Sequence, residues 1–400
     1  MKSQAPVNVV ALIPWFYRDR GDGVNERQLI NAISKRVRRV YVFAFEGVKE
    51  LVKVKKRRLN LSRNVIHIPI PLIEIPLIST MLMFFISYLL SFVLLVLDHI
   101  IKIGLIYIRY SPLSMGIVTF NPLASKVVVK IPSIIEEEIR YGSLVNRLAK
   151  EFITITDKII LLRAKAIAAP SEELYRELLK KRNVQRVGNF IKAMPGVDLD
   201  LIEKIKRASY EKRDSCNKVF VVGFMGSLMW WQGVEILVKA IALLRKQKIP
   251  IHLLIIGDGP QRPLVEVMLR ALKINYEITG VVPHERALKL LKMADVLVLP
   301  RLHAPFTESL IPIKVLEAWA LGIPVIVTRH KVFIKLGIKD HEDLIYCEPD
   351  PENVAERLLC LLRNSDLRLK LSMKGPKIAR RFAYDEIVDE LLSIATKTTP

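Results

Sequence analysis

The chain has 400 residues, 51% of them hydrophobic, so it can bury two domain-sized cores and cannot be a disordered chain. Its formal net charge of +22 indicates an anionic partner: a nucleic acid, an acidic lipid surface or a phosphorylated substrate. The three cysteines, Cys216, Cys347 and Cys360, are scattered and have no histidine at metal-ligand spacing, which predicts a reducing compartment and no structural zinc. The first apolar run is too short for a signal peptide, so no export is expected.

The first predicted strand runs from Val7 to Pro14 and is followed by a loop that contains Gly21 and Gly23. A helix is predicted from about Asn25 to Val37. Glycines in a turn between a strand and a helix let the backbone approach a ligand closely, although they are also common in ordinary turns.

Five further apolar or β-branched stretches predict the rest of a parallel sheet. They run from Val40 to Phe45, Val65 to Ile70, Leu105 to Tyr110 and Lys126 to Pro132, and through KAIAAP, before a helix capped by Ser171. A domain boundary is predicted near residue 200. Asp198 and Asp200 form an Asp-x-Asp pair there, but they begin a predicted helix, where aspartate is a good cap, so we assign no metal to them.

Between the second and third predicted strands, five cations crowd together: Lys53, Lys55, Lys56, Arg57 and Arg58. From Ile75 to Leu97 no residue is charged, and the predicted helix is apolar on every face. About 20 such residues can cross a bilayer, but a crossing would separate strands of one sheet. We therefore expect a helix that packs on the sheet and lies in the cytoplasmic leaflet, rather than one buried in the core or by a partner subunit. Nearby cations favour the leaflet, because each is worth ~1 kcal/mol at an anionic surface.

In the C-terminal half, Lys218 to Gly226 reads as a strand that enters a tight turn, which places Gly226 and Ser227 where backbone amides could meet phosphate. The segment IHLLIIGDGP predicts the next strand. A further one, YEITGVV, ends at Val281 and Val282.

The stretch from Val296 to Arg329 predicts two buried strands with a helix between them, which begins after Pro312 and ends at Gly322. Ligands of parallel sheets bind at the carboxyl ends of strands, beside helix N-termini that attract phosphate. Lys314 and Glu317 project from one side of this helix. A cation for a diphosphate and a carboxylate for two ribose hydroxyls suit a nucleotide-sugar, whereas an exposed ion pair is the commoner fate of such residues.

The segment ESLIPIKVLEAWALGIPVIVT, together with FMGSLMWWQGVEILVKAIALL, HLLIIGDGP and ITGVVPHERALKLLKMADVLVLPR upstream, resembles the retaining glycosyltransferases of family four. The resemblance covers the C-terminal half well and the N-terminal half loosely. It implies an α/β protein of the GT-B fold, with two Rossmann-like parallel-sheet domains facing a cleft. Residues 1–200 would be the acceptor-side domain with the apolar helix 75–97. Residues 201–400 would be the nucleotide-sugar-binding domain, whose last helix crosses back to the first.

The resemblance implies that Arg301 and Lys314 are the catalytic cations that neutralise the leaving diphosphate, with His303 as a minor candidate. The implied donor-binding residues are Glu317, Glu308, Ser309, Leu310, Ile311, Gly226, Ser227, Gln232, Val282, Gly21 and Gly23. Ser227 and Gln232 replace an arginine and a lysine that the family often carries. Glu308 is one residue out of register with the family's first glutamate. Either it reaches the sugar through a bulge, or Ser309 and the amides of Leu310 and Ile311 hold the sugar instead.

By the same resemblance, we expect transfer of a sugar from a UDP- or GDP-linked donor to a lipid or glycan acceptor, with retention of configuration and without a metal or another cofactor. Glu136, Glu137 or Arg109 could face the acceptor. The expected location is cytoplasmic, at the anionic inner face of the membrane, and no nucleic acid is expected as a partner. Two other classes stay open: a non-catalytic membrane-associated scaffold with a transferase fold, and a basic nucleic-acid-binding protein.

Overall fold

The computed structural model describes residues 5–17, 21–48, 51–52, 61–72, 76–119, 121–132, 144–185, 189–207 and 219–396. The chain divides into two compact units. The first holds the N-terminal sheet and the last helix of the chain, and the second comprises Pro195–Ala383. The basic cluster from Lys53 to Arg58, as well as Glu136 and Glu137, lies outside the described residues.

Seven parallel strands form the sheet of the first unit. They are β1 (Ala5–Pro14), β2 (Val37–Gly47), β3 (Val65–Leu72), β4 (Ile103–Arg109), β5 (Val127–Lys130), β6 (Ala166–Ala169) and β7 (Asn189–Lys192). Their spatial order is β3-β2-β1-β4-β5-β6-β7, so the order reverses between β1 and β4. In open parallel sheets, ligands bind beside the carboxyl ends of the strands at such a reversal.

Six described helices of the first unit precede β7: α1 (Gly21–Ser34), α2 (Pro76–Ile101), α3 (Leu113–Thr119), α4 (Asn121–Ala124), α5 (Leu144–Arg163) and α6 (Glu172–Arg182). Helix α1 begins four residues earlier than the sequence predicts, which puts Gly21 and Gly23 in its first turn rather than in the preceding loop. The predicted cap of α6 is confirmed, because the N–H of Leu174 donates to Ser171 Oγ at 3.2 Å.

Helix α2 packs on the first sheet by one side only. Its residues Met83, Leu90 and Leu94 are buried in the core of the first unit. Its opposite side, which we call the apolar face of α2, exposes between 58% and 70% of the side chains of Phe85, Leu89, Phe92, Val96 and Ile100. The less favoured alternative, a helix wholly buried in the core, is therefore wrong.

The segment Leu82–Ile101 of α2 is long and apolar enough to cross a membrane by length and composition, with a mean hydropathy of 2.2, and 22% of it is buried. However, β3 and β4 flank this helix in the chain and belong to one sheet. A single crossing of a bilayer would pull that sheet apart, so the helix must lie on one side of any membrane.

The second unit contains six parallel strands: β8 (Phe220–Met225), β9 (Ile251–Ile256), β10 (Asn275–Ile278), β11 (Val296–Leu299), β12 (Val325–Thr328) and β13 (Ile345–Cys347). Their order is β10-β9-β8-β11-β12-β13, with a reversal between β8 and β11. The prediction of two Rossmann-like parallel-sheet domains is confirmed.

Nine described helices belong to the second unit: α7 (Leu199–Arg207), α8 (Val234–Lys246), α9 (Arg262–Ala271), α10 (His284–Leu291), α11 (Pro305–Glu308), α12 (Ile313–Leu321), α13 (Lys331–Lys335), α14 (Pro351–Arg363) and α15 (Ser365–Ala379). Asp198 caps α7, since its Oδ1 accepts the N–H of Leu201 at 3.1 Å, as predicted. The last helix, α16 (Tyr384–Thr396), packs on the sheet of the first unit through buried residues that include Val388 and Leu391.

Candidate functional site

The carboxyl ends of β8 and β11 lie side by side at the reversal of the second sheet. Gly226 follows β8, Arg301 follows β11 after one proline, and α12 begins with Pro312 as its N-cap. Helix α12 ends at Gly322, whose φ of 78° is the left-handed conformation that favours glycine at a helix end. The predicted strand, helix and strand are thus confirmed, and they bring the predicted cations to one edge of the sheet.

Lys314 lies in the first turn of α12. Its Nζ donates a hydrogen bond to Oε1 of Gln232 at 3.2 Å and lies 5.6 Å from the centre of the Phe224 ring. Gly226 makes room for this ammonium, since a Cβ built on Gly226 would lie 2.1 Å from Nζ. Burial, together with the charge of Arg301, lowers the pKa of Lys314 to about 7, although the charge of Glu317 opposes the shift. The fold therefore holds this lysine at an electrostatic cost.

Arg301 supplies the second cation. Burial lowers the pKa of its guanidinium to about 10, which leaves the group charged at neutral pH. Its buried Nε has no hydrogen-bond partner among the residues that the structure describes. A buried charged donor without a partner costs free energy, and the positive charge of Lys314 adds repulsion. A bound anion would relieve both costs.

Glu317 lies one turn after Lys314 on α12 and is 2% exposed. Nε2 of His284, the first residue of α10, lies 2.6 Å from Oε1 of Glu317. Because an ionised carboxylate only accepts hydrogen bonds, this nitrogen carries a proton. The burial of Glu317 excludes the interpretation of Lys314 and Glu317 as an exposed ion pair. Sequence reasoning missed His284, because nothing in the segment PHER signals a contact with a residue 33 positions away.

Glu308 ends α11, and its two carboxylate oxygens have different donors. Oε1 lies 2.5 Å from Nδ1 of His303, and Oε2 accepts the N–H of Lys331 at 2.7 Å. The His303 ring stacks on His330 with centroids 5.3 Å apart. Burial lowers the pKa of His330 to about 4, so its ring is neutral at pH 7 and Nδ1 can donate to the carbonyl of Thr307 at 2.7 Å.

One ligand atom from each of His303, Glu308 and His330 lies within 4.8 Å of the others, so this trio could hold a metal ion. The hydrogen bonds of these side chains already account for their arrangement. The expectation that no metal takes part stays a prediction. Sequence reasoning named His303 and Glu308 but missed His330, which follows β12 and meets them only in the fold.

The other expected donor-binding residues fall into three groups. Ser227 follows Gly226, whose own N–H donates to the carbonyl of Ile256 at 2.9 Å, so Gly226 contributes space rather than a free amide. Val282 lies two residues before His284 at the start of α10. Ser309, Leu310 and Ile311 connect α11 to α12. Gly21 and Gly23 lie in the first turn of α1. Contacts between these five residues and a donor stay predictions.

A different charged cluster occupies the carboxyl edge of the first sheet. Glu26 is fully buried and accepts hydrogen bonds from Tyr107 Oη at 2.6 Å, Arg109 Nη1 at 2.9 Å and Lys130 Nζ at 3.0 Å. Burial raises the pKa of Glu26, but Lys130 and Arg109 outweigh that effect and hold it below its usual value. Arg109 and Lys130 end the neighbouring strands β4 and β5 and are partners in their register.

Comparisons with known proteins agree with this architecture. Residues 219–364 match the family model described as Glycosyl transferases group 1. An uncharacterized glycosyltransferase of Haemophilus influenzae is 25% identical over 281 residues, which cover 69% of this chain and 72% of that protein. The D-inositol 3-phosphate glycosyltransferase of Corynebacterium urealyticum is 28% identical over 183 residues, which cover 44% of this chain and 42% of that protein.

The crystal structure of Anabaena HepE in complex with UDP-glucose superimposes with a TM-score of 0.67 at 16% identity, covering 96% of this chain and 98% of that one. This likeness shows the fold. The chain therefore has a GT-B fold, and residues 219–364 of its second unit are similar to the glycosyl transferases group 1 family.

Proposed function

We propose that this chain is a retaining glycosyltransferase of family four, which moves a sugar from a UDP- or GDP-linked donor to a lipid or glycan acceptor. The observation that carries the proposal is the pair of cations, Arg301 and Lys314, at the reversal of the second sheet. The two repel each other, and the buried Nε of Arg301 has no partner among the described residues. A diphosphate supplies the negative charge and the acceptor oxygens that this pair lacks.

In the proposed reaction, the bond between the anomeric carbon and the β-phosphate oxygen breaks, and the nucleoside diphosphate leaves with that electron pair. Arg301 and Lys314 stabilise the growing negative charge, and fixed donors of this kind are worth ~10²- to 10³-fold each. The acceptor hydroxyl forms the new bond on the same face of the sugar. Its proton passes to the leaving phosphate oxygen, so the mechanism uses neither a protein nucleophile nor a metal.

Glu317 is the proposed acceptor for the ribose hydroxyls of the donor, because it is a buried carboxylate one turn from the phosphate-binding lysine. Gln232 orients the lysine through its 3.2 Å hydrogen bond. The sugar hydroxyls are left to Glu308 or to Ser309 and the following amides. HepE, which shares the fold, binds UDP-glucose in its crystal structure, and this supports the choice of a nucleotide-sugar as donor.

A thermal-shift screen of nucleotides and nucleotide-sugars tests the proposal. A ligand at 100 times its Kd should stabilise the protein by ~2.7 kcal/mol. We expect UDP or GDP and the matching sugar to raise the melting temperature, and Lys314→Met to abolish the rise. The anomeric configuration of the product, read by NMR, tests retention. If no nucleoside diphosphate shifts the wild-type protein, the transferase proposal fails and the scaffold class gains support.

The apolar face of α2 supports an anionic membrane surface as a second partner. Helix α5 lies beside α2, since the rings of Phe84 and Phe152 meet edge to face at 5.6 Å. On α5, Ile155 and Leu162 are 58% and 56% exposed. The cations Lys158 and Arg163 on the same helix are also exposed. Apolar side chains with cations beside them favour binding to the headgroup region of the cytoplasmic leaflet. A lipid-linked acceptor would be located in that leaflet.

Co-sedimentation with vesicles tests the membrane proposal. We expect binding to phosphatidylcholine vesicles that contain phosphatidylglycerol, weaker binding without it, and a loss of binding in Leu89→Glu with Phe92→Glu. The control is Val267→Glu, because Val267 is an equally exposed apolar residue (64%) on α9 of the second unit. Equal binding by the double variant and the control would contradict the proposal, as would retention on nucleic acid but not on vesicles.

A further inference from the structure

His284 and Glu317 come from different elements and meet at the carboxyl edge of the second sheet. The imidazole Nε2 lies 2.6 Å from the carboxylate Oε1, the His284 side chain is 17% exposed, and that of Glu317 is 2% exposed. Such a short contact between a nearly buried carboxylate and a neutral or charged imidazole is a charge-assisted hydrogen bond, which is shorter and stronger than one between neutral groups.

A carboxylate on a helix can rotate about its side-chain bonds, and only one orientation presents it to two neighbouring hydroxyls. The hydrogen bond from His284 fixes the orientation of Glu317. In metal sites the roles are reversed, and a carboxylate that accepts a hydrogen bond from a metal-ligating histidine fixes the orientation of that imidazole. The hydrogen bond from His284 uses one of about four lone-pair sites of a carboxylate.

His284 also links two parts of the expected donor site. It begins α10 and lies two residues after Val282, in the segment that joins β10 to this helix. Glu317 lies on α12, one turn after Lys314. The hydrogen bond therefore joins the segment that contains Val282, an expected donor-binding residue, to the helix expected to hold the ribose and the diphosphate.

We propose that His284 is a positioning residue that holds Glu317 for the two ribose hydroxyls and thereby sets a preference for ribonucleotide donors. The inference rests on the proposed function, because it gives the ribose site a second residue. His284 does not touch the reacting atoms and acts through Glu317.

A matched pair of substitutions tests the inference. The side-chain amide nitrogen of glutamine corresponds in position to Nε2 of histidine, whereas that of asparagine corresponds to Nδ1 and is too short to reach Glu317. His284→Gln should therefore keep the hydrogen bond, and His284→Asn should lose it. Both variants keep a polar residue at the start of α10, and their melting temperatures show whether each one folds.

The measurement is the affinity for UDP and for 2′,3′-dideoxy-UDP, with GDP and its dideoxy analogue in parallel. Hydrogen bonds to a charged group are worth about 1.5–3 kcal/mol, so wild-type protein should prefer the ribonucleotide by ~10- to 100-fold. We expect His284→Gln to keep most of this preference and His284→Asn to reduce it to less than about threefold. The affinity of His284→Asn for the dideoxy nucleotide should stay near that of the wild type. Glu317→Ala sets the value for complete loss.

If the role of His284 were purely structural, His284→Asn would weaken the binding of UDP and of its dideoxy analogue equally. That result would overturn the inference. So would a His284→Asn variant that keeps the wild-type preference, or a wild-type protein that binds both nucleotides equally well. Failure of the wild-type protein to bind either UDP or GDP is a different result, because it contradicts the proposed function itself.

Discussion

A pair of cations lies at the carboxyl edge of each sheet, but the two pairs have different partners. In the first sheet, Arg109 and Lys130 both donate to the buried carboxylate of Glu26. In the second, Lys314 donates to the neutral amide of Gln232, and the buried Nε of Arg301 has no partner among the described residues.

The difference separates a structural cluster from a binding site. Buried cations that share a carboxylate are neutralised by the protein itself, and breaking such a group leaves an uncompensated charge. Cations that repel each other, and for which the described residues supply a neutral amide and leave a buried Nε without a partner, gain from a bound anion. The topology of both sheets favours ligand binding at the strand reversal, but the charges of the second sheet alone suit a diphosphate.

The comparison predicts that Glu26→Gln destabilises the protein by about 3–5 kcal/mol, because it leaves Arg109 and Lys130 buried beside a neutral group. Urea denaturation measures the loss. The control is Glu172→Gln, which breaks an exposed pair with Arg176 and should cost less than ~1 kcal/mol. If the two variants lost equal stability, the cluster of the first sheet would have no structural role.

Lys314→Met, unlike Glu26→Gln, should reduce the activity and not the stability. We expect an activity loss of ~10²- to 10³-fold and no loss of stability of the ligand-free protein. The pKa of Lys314 is lowered to about 7, so the folded protein binds this proton more weakly than the unfolded chain does. Weaker proton binding in the folded state destabilises the fold. This destabilisation is complete below about pH 7 and disappears as the pH rises towards the ordinary lysine pKa. The variant should therefore gain more stability at about pH 6 than at about pH 9, as thermal unfolding can show.

The exposed Lys239 of α8 provides the matched control for this lysine. Lys239→Met should leave both the activity and the pH dependence of stability unchanged. A Lys314→Met variant that is active, or that unfolds more easily at about pH 6, would show that Lys314 serves the fold rather than the ligand.

A smaller effect is expected for the glycine that makes room for Lys314. Gly226→Ala places a methyl group 2.1 Å from the Lys314 Nζ, at a φ of +137°, so the ammonium must move. We expect a loss of nucleotide affinity of ~10-fold, about the worth of one hydrogen bond. Gly337→Ala is the control, because Gly337 also has a positive φ (+69°) but nothing lies within 4 Å of its added Cβ. Calorimetric titration with UDP and GDP would contradict the account if both variants bound equally.

Much of the fold could be predicted from the sequence, because apolar β-branched runs and their glycine and proline boundaries are local signals. This holds for β11, α12 and β12, which lie where the sequence places them. The start of α1 was wrong by four residues, since two glycines in the first helical turn look like a loop. The resemblance to a glycosyltransferase family identified Arg301, Lys314 and Glu317 as site residues. The structure brings these three residues to one edge of the second sheet.

The contacts that tune these residues were not predictable, because their partners are distant in the chain. Gln232 is 82 residues from Lys314, and His284 is 33 residues from Glu317. In the first unit, Glu26 meets Lys130 across 104 residues. No pattern within a local window reports such a pair, so these contacts are known only once the strand order is known.

Proton uptake on nucleotide binding tests the central claim most directly. In the free protein at about pH 8, Lys314 is mostly neutral, because burial lowers its pKa to about 7. A bound diphosphate favours the charged form, so binding of UDP or GDP should take up close to one proton, which titration calorimetry in buffers of different ionisation enthalpy measures. The account predicts this uptake in the wild-type protein and its loss in Lys314→Met. Binding without proton uptake, or uptake that persists in Lys314→Met, would contradict the claim that this lysine holds the diphosphate.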